Sequence, residues 1–195
     1  AAVGRLEAEA GRVIDAGGDL VSPPFVDPHF HMDATLSYGL PRVNASGTLL
    51  EGISLWGELR EVATVEEMVE RALRYCDWAV SMGLLAIRTH VDTTPDHLRG
   101  VEAMLEVKRR VAPYLDLQLV AFPQDGLYRT KTGRENLLRA LDMGVDVVGG
   151  IPHFERTMEE GAESMRDLTR IAAERGLKTI DATRPIGELV FDSVA

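Results

Sequence analysis

The sequence predicts an α/β protein built as a (β/α)8 barrel, of which about five βα units are present. Short apolar strand segments alternate with amphipathic helices, and this alternation is typical of βαβ units around a parallel sheet. Polar residues gather directly after the strands, where barrels place their chemistry. A doubly wound sheet is the alternative, but no Gly-rich phosphate loop follows the first strand, which favours the barrel.

The first part of the chain is predicted to contain two short strands. Residues 12–16 form the first strand, which a turn at residues 17–18 closes. Residues 20–26 form the second strand and contain Pro23 and Pro24. Because adjacent prolines cannot donate to a ladder in the middle of a sheet, they mark the entry or the edge of this strand.

A long segment, residues 32–62, is rich in turn-forming residues and is predicted to be an irregular loop with a short helix at 49–59. Loops of this length in compact domains tend to be functional or disordered. Beyond it, Thr64 and Glu67 have the spacing of a capping box. This spacing predicts the start of a strong helix, which Gly83 ends.

The rest of the chain repeats a strand followed by a helix. The predicted strands are short apolar runs at residues 84–88, 115–122, 145–148 and 178–182. The predicted helices carry apolar residues at helical spacing and cover residues 95–110, 133–143 and 158–175. The polar residues that follow the strands are His29, His31, Asp33, His90, Asp92, Gln124, Asp125, His153, Glu155 and Asp181.

Composition and charge exclude several classes of protein. The net charge of −10 repels nucleic acid backbones and anionic membranes, so we predict neither as a partner. The single cysteine, Cys76, can form no intrachain disulfide, which is typical of a reducing compartment. No apolar run approaches the ~20 residues of a membrane span. We therefore predict a cytoplasmic protein.

The sharpest motif is His29-Phe30-His31, which follows an apolar strand. In an extended segment residues i and i+2 point to the same face, so the two imidazoles can bind one metal ion. Neutral imidazole is a good ligand for zinc and iron. The alternative is two histidines that are hydrogen-bonded in a polar loop. The position at the end of a strand that opens a βα series favours metal binding.

Six ordered segments resemble the cytosine deaminase family of the amidohydrolase superfamily. They are PFVDPHFHMD at 24–33, SGTLLEGI at 46–53, RTHVD at 88–92, AMLEVK at 103–108, VAFPQ at 120–124 and IPHFE at 151–155. The resemblance implies a TIM barrel of the metal-dependent hydrolase type, with a small β-sandwich built from the chain termini. Residues 1–19 are then a remnant of that sandwich, and residues 20–195 are an incomplete barrel.

The resemblance also implies a role for each matching residue. His29 and His31 would bind one divalent metal ion per subunit, iron or zinc. Gln124 would bind the edge of a pyrimidine, since a primary amide offers an acceptor and two donors; a turn-capping amide is the alternative. Residues 49–52 would add apolar wall to the pocket.

Three further residues are candidates to orient a metal ligand without binding the metal themselves. They are His90, Asp92 and His153. For His90 and Asp92 the alternative is a hydrogen-bonded pair inside the barrel.

The resemblance ends after Asp181. There the family continues with a His-Cys-Asp-Glu-like segment, whose His is a third metal ligand and whose Glu transfers protons. This chain reads ATRPIG at 182–187 instead, so we assign no catalytic acid or base. Because a catalytic zinc needs three protein ligands and an open position, we expect these 195 residues alone to be inactive.

The activity that the resemblance implies is hydrolytic deamination of a free nucleobase by metal-activated water. Cytosine, which would give uracil and ammonia, is the first choice. Two alternatives stay open. One is an amidohydrolase that acts on a cyclic amide or a triazine, and the other is a non-catalytic, truncated remnant. The resemblance further suggests a homo-oligomer.

Overall fold

The computed structural model describes Gly4 and residues 10–181. Its strands form one sheet in the order β1-β2-β3-β4-β5, and every neighbouring pair is parallel. The strands are β1 (Phe25–Phe30), β2 (Leu84–Asp92), β3 (Asp116–Phe122), β4 (Val147–Gly150) and β5 (Lys178–Asp181). Strands in sequence order, joined by helices, are the arrangement of consecutive βα units. The predicted partial (β/α) barrel is therefore confirmed.

Five helices connect the described strands. They are α1 (Leu49–Val62), α2 (Val65–Ser81), α3 (Arg99–Val111), α4 (Gly133–Asp142) and α5 (Met158–Arg175), with short 3-10 turns at Met32–Ala34 and Pro152–Phe154. The capping box at the start of α2 is confirmed. The Thr64 hydroxyl accepts from the Glu67 N–H at 3.2 Å, and the Glu67 carboxylate accepts from the Thr64 N–H at 2.9 Å. Within the described residues, no helix is both long and apolar enough to cross a bilayer.

The core lies between the sheet and the outer helices. Leu117, Leu119 and Ala121 of β3 point outward and are buried against that layer, in which Met104 of α3 is fully buried. On the other face of β3, Val120 packs with Val147 of β4. Alternation along the strand thus sends one set of side chains to the helices and the other to the barrel interior.

The beginning of the chain differs from the prediction. Residues 12–16 form no strand, and the side chains of Val13 and Ile14 are 81% and 74% exposed. The β-branched residues Val13 and Ile14 favour a strand, but no described strand lies beside this segment to complete a ladder. The turn at Gly17 and Gly18 does form. The assignment of residues 1–19 to a β-sandwich remnant stays a prediction.

The first strand begins later than predicted. Residues 20–24 are outside the sheet, and β1 starts at Phe25, directly after the two prolines. This agrees with prolines at a strand entry. Other boundaries also differ: β2 runs to Asp92, four residues beyond the predicted end, and β4 covers Val147–Gly150 instead of residues 145–148. Helix α1 runs to Val62, three residues beyond the predicted short helix, and α3 begins at Arg99 because Leu98 has a left-handed backbone with φ 49°.

Candidate metal and ligand site

A cavity of about 610 Å³ opens at the carboxyl ends of the strands. Its volume is in the range of small-molecule sites. Residues at and after the ends of β1, β3 and β4 line it together with the inner face of α1; among them are His29, His31, Gln124, His153, Ile53 and Trp56. Parallel strands therefore bring together residues that lie far apart in the sequence.

His29 and His31 converge on this cavity from the end of β1. Their ring centroids are 5.4 Å apart and their planes meet at 64°. Two tetrahedral bonds of about 2 Å from one zinc ion would hold two imidazole centroids about 5 Å apart. Burial lowers the pKa of both rings, that of His31 to about 4, where the neighbouring His29 adds to the effect. Both are therefore neutral near pH 7, as metal ligands must be.

The histidine pair fits a metal ion as part of a ligand set. Among residues 10–181, no group of three His, Cys, Asp or Glu side chains is arranged to hold a metal ion. The described chain thus offers two imidazoles to a cation, and the third protein ligand that a catalytic zinc requires is not among these residues.

His90 lies behind the histidine pair on β2. Its ring is fully buried and stacks on the His29 ring, with the centroids 3.9 Å apart. Neither ring nitrogen of His90 has a hydrogen bond of ordinary geometry to the described residues. Burial, followed by the proximity of His29 and His31, lowers the pKa of His90 to about 2. This ring contacts a candidate ligand directly, while its role in orienting that ligand stays a prediction.

Asp92 turns away from His90 and towards α1. One of its carboxylate oxygens accepts from the Trp56 Nε1–H at 2.8 Å and from Arg60 Nη1 at 2.6 Å. The other oxygen accepts from the Thr94 N–H at 2.8 Å. Its carboxylate therefore bonds to α1 and to its own loop. His153 lies on the rim, where it is exposed and lines the cavity.

Gln124 follows β3 and faces the cavity, and its side-chain amide makes no hydrogen bond within the described part of the chain. Other hydrogen bonds hold the loop that carries Gln124, so the amide is not needed to fix it. The Asp125 carboxylate accepts from Arg60 Nη2 at 2.6 Å, and the buried Glu155 carboxylate accepts from the Leu127 N–H at 2.5 Å. The amide of Gln124 is thus available to a ligand, as a base-binding role requires.

From the sequence, neither Asp33 nor Trp56 was assigned a role, yet both line the cavity. The buried Asp33 carboxylate accepts from the Asp92 N–H at 2.9 Å and from the Ala34 N–H at 3.0 Å. Burial raises its pKa to about 7. The position of Asp33, two residues after His31, was the signal for it. No local pattern marked Trp56.

Leu49, Leu50 and Gly52 line the cavity near the N-terminus of α1. The expectation that residues 49–52 contribute wall therefore agrees with their position. Thr48 begins this helix, and its hydroxyl accepts from the Glu51 N–H at 3.3 Å.

Comparisons with known proteins identify close relatives. The profile of the amidohydrolase family matches residues 12–179. The crystal structure of 5-methylcytosine deaminase from Klebsiella pneumoniae, liganded with 5-fluorocytosine, has a TM-score of 0.82 and 44% identity, over 88% of this chain and 43% of that chain. N-isopropylammelide isopropyl amidohydrolase from Pseudomonas sp. (strain ADP) is 34% identical over 173 residues, which are 84% of this chain and 41% of the relative.

A second solved structure is more distant. N-isopropylammelide isopropylaminohydrolase from Burkholderia multivorans has a TM-score of 0.65 and 25% identity, over 82% of this chain and 40% of that chain. The chain thus spans about two fifths of the length of these relatives.

Proposed function

This chain belongs to the amidohydrolase family, and from that premise we propose that it supplies the metal-binding and base-binding residues of a hydrolase that deaminates a free pyrimidine base, cytosine or a close derivative. One observation carries the proposal. The convergent pair His29 and His31 and the unbonded amide of Gln124 line the same cavity. Likeness to a deaminase of known structure supports the choice of substrate.

Each part of the cavity has a chemical task in this proposal. An iron or zinc ion bound by His29 and His31 would supply Lewis-acid activation of water. The Gln124 amide donates to a ring carbonyl and accepts from a ring or amino N–H, which fixes the orientation of the base. Apolar side chains of α1, such as Ile53, exclude bulk water and strengthen these hydrogen bonds.

Proton transfer to the leaving amine is assigned to no residue of this chain. The proposal therefore includes the expectation that the 195 residues alone bind metal and base but do not turn over. We also propose a cytoplasmic homo-oligomer with neither nucleic acid nor membrane as a partner, as charge and resemblance suggest.

Metal binding by the chain is the first test. We expect titration of the metal-free chain with Zn²⁺ in a calorimeter to show one ion per chain. Substituting either ligand, in His29→Ala or His31→Ala, should weaken binding about tenfold or more. His97→Ala is the matched control, because His97 is exposed and does not line the cavity. Equal weakening in all three variants would contradict a site at His29 and His31.

Activity is tested in a chimera. Residues 12–181 of this chain replace the matching part of Klebsiella pneumoniae 5-methylcytosine deaminase, and ammonia release from cytosine is measured. We expect Gln124→Ala in this chimera to reduce kcat/KM by about 10² to 10³, because a base loses its directed hydrogen bonds. An active chimera that is insensitive to Gln124→Ala would argue against base binding by this amide.

A second candidate is hydrolysis of the amine substituent of a triazine. The 34% identity to N-isopropylammelide isopropyl amidohydrolase favours it. The same chimera, offered N-isopropylammelide and cytosine side by side, separates the two candidates. Turnover of the triazine alone would replace the first proposal by the second.

A further inference from the structure

We propose that Asp92 is a positioning residue that latches α1 across the rim and so holds Trp56 as the wall that determines which ring the cavity admits. This inference rests on the proposed function of the same cavity. The α1 latch is defined by four side chains, namely Asp92, Arg60, Asp125 and Trp56.

The latch joins three elements through short hydrogen bonds. Asp92, at the end of β2, accepts from Trp56 Nε1 at 2.8 Å and from Arg60 Nη1 at 2.6 Å. The other terminal nitrogen of Arg60 donates to Asp125, beyond the end of β3, at 2.6 Å. One guanidinium therefore ties α1 to two neighbouring strand ends at once.

Apolar packing leaves α1 weakly fixed without these bonds. Of its 14 residues only Leu55 and Leu59 are buried, whereas α3 buries five of its 13 residues. At the N-terminal end of the helix, Leu49 and Leu50 are 78% and 74% exposed. A helix with so narrow a buried face has few apolar contacts that fix its rotation and its position along the sheet. The directed bonds of the latch fix its orientation.

The latch is largely shielded from solvent. The side chains of Asp92 and Arg60 are 4% and 14% exposed, so salt screens their attraction far less than that of a surface pair. Burial lowers the pKa of Arg60, but Asp92 and Asp125 outweigh it and raise the pKa overall. The arginine is therefore charged throughout the range in which the protein is studied.

The latch affects the cavity because its residue Trp56 is part of a cavity wall and its residue Asp125 is next to another. Trp56 forms part of one wall, and Asp125 is adjacent to Gln124 on another wall. Arg60 links these walls, so the latch sets the distance between the indole and the amide that binds the base. A looser latch should admit a bulkier ring and hold a small planar base less well.

Fluorescence measures the latch separately from base binding. The chain has two tryptophans, and the exposed Trp78 can be replaced, so the Trp78→Phe variant reports on Trp56 alone. In that background the acrylamide quenching constant of Trp56 should rise about twofold or more in Asp92→Ala as the indole gains solvent access. Asp92→Asn, which keeps an acceptor for the indole, should give a smaller rise. Asp142→Asn, which removes an exposed ion pair with Arg175, is the matched control and should give none.

Base preference is measured in the same variants by calorimetry with cytosine and with N-isopropylammelide. Asp92→Ala and Trp56→Ala should each weaken cytosine binding roughly tenfold relative to the triazine, since a misplaced wall costs at least that much. Circular dichroism and urea midpoints report folding. If Asp92→Ala does not fold, Asp92→Asn and Arg60→Gln decide the question.

Each result supports or overturns the latch. Unchanged Trp56 quenching in folded Asp92 variants overturns it, whether or not a base binds. Increased quenching with an unchanged preference between the two rings overturns the role of Trp56 in specificity. If the parent binds neither ring, the proposed function and the specificity claim both fail, while the quenching result still decides whether Asp92 positions α1.

Discussion

The centre of the sheet and the rim at β1 and α1 are built differently. Strands β2 and β3 pair without a break from Ala86 opposite Asp116 to Asp92 opposite Phe122. Strand β1 pairs with β2 through two register shifts, and its first residue, Phe25, is 65% exposed. The carboxyl-terminal parts of the central strands, residues 89–92 and 119–122, are buried on both faces, as parallel strands normally are, whereas no residue of β1 is fully buried.

The elements that stabilise the fold therefore differ from those that carry most of the candidate site. The candidate ligand His29 is on the irregular strand β1 and His31 directly follows it, while Trp56 is on the weakly packed α1. The regular centre positions them, and of its described residues Phe122 and the following Gln124 line the cavity. We therefore expect substitutions in β3 to affect folding and substitutions at the rim to affect binding, and four predictions test this division.

The largest expected loss of stability comes from a substitution in the centre of the sheet. Leu119→Ala should lower the free energy of unfolding by about 2–5 kcal/mol, because Leu119 is fully buried and its truncation leaves a cavity. Phe25→Ala on β1 should cost about 1 kcal/mol or less, since this ring is mostly exposed. Urea denaturation of both variants measures the difference. Similar losses would mean that β1 is as integral to the fold as β3.

The same division between the centre of the sheet and the rim explains which features could be predicted from the sequence. Local patterns define the centre: the capping box of Thr64 and Glu67 begins α2 as predicted, and the apolar run of β3 has nearly the right bounds. The type of β2 is right as well, but the strand runs four residues beyond its predicted end. The motif at His29 and the strand-end position of Gln124 also predicted residues that share a cavity. Periodicity and the rule that parallel strands end at one rim were enough to predict where these residues lie, whereas the base-binding role of Gln124 was implied by the resemblance to cytosine deaminases.

The sequence did not predict contacts between residues that lie far apart in the chain. It also predicted a strand where no described neighbour pairs with it. Trp56 reaches Asp92 across 36 positions and Arg60 reaches Asp125 across 65, and no local pattern encodes such pairs. Residues 12–16 have a strand-like pattern but no described neighbour with which to pair. A strand is stabilised by its ladder, so propensity alone could not decide this segment.

The second prediction concerns His90, where centre and rim meet. Burial lowers its pKa from 6.5 to about 2, so the neutral ring stabilises the fold above pH 6.5 and that contribution is lost as the pH falls. The loss should be about 1.4 kcal/mol per pH unit below 6.5 for this proton. Metal-free unfolding curves from pH 7 to 5 should therefore be flatter for His90→Leu than for the parent.

The His90→Leu variant is compared with the parent because other groups titrate nearby. His31, whose pKa is lowered to about 4, steepens the same acid loss. Asp33 acts in the opposite sense: its raised pKa of about 7 means that stability falls as the pH rises from about 4 to 7. Both remain in His90→Leu, so they cancel in the difference. Identical slopes for parent and variant would show that His90 is not a buried neutral ring.

The third prediction compares two helix caps of the same type. Thr64→Ala should lower the free energy of unfolding by about 1 kcal/mol, because α2 is part of the scaffold and loses a side-chain acceptor. Thr48→Ala removes the equivalent acceptor from α1. Its effect should be seen chiefly as faster amide hydrogen exchange in residues 49–54, with a smaller change in global stability. Equal global losses would place α1 in the same cooperative unit as α2.

The smallest effect is expected from Gly57, in the middle of α1. A Cβ added there meets no atom within 4 Å, and alanine is favoured over glycine in a helix interior by about 0.5–1 kcal/mol. Gly57→Ala should therefore slow hydrogen exchange along α1 and raise global stability by a few tenths of a kcal/mol at most. Because Trp56 precedes this position, a firmer helix should hold the indole in place and leave cytosine binding as tight as in the parent or tighter. Weaker cytosine binding would mean that the rim must flex to admit its ligand. The small buried face of α1 would then have a function, because it would allow the ligand to enter.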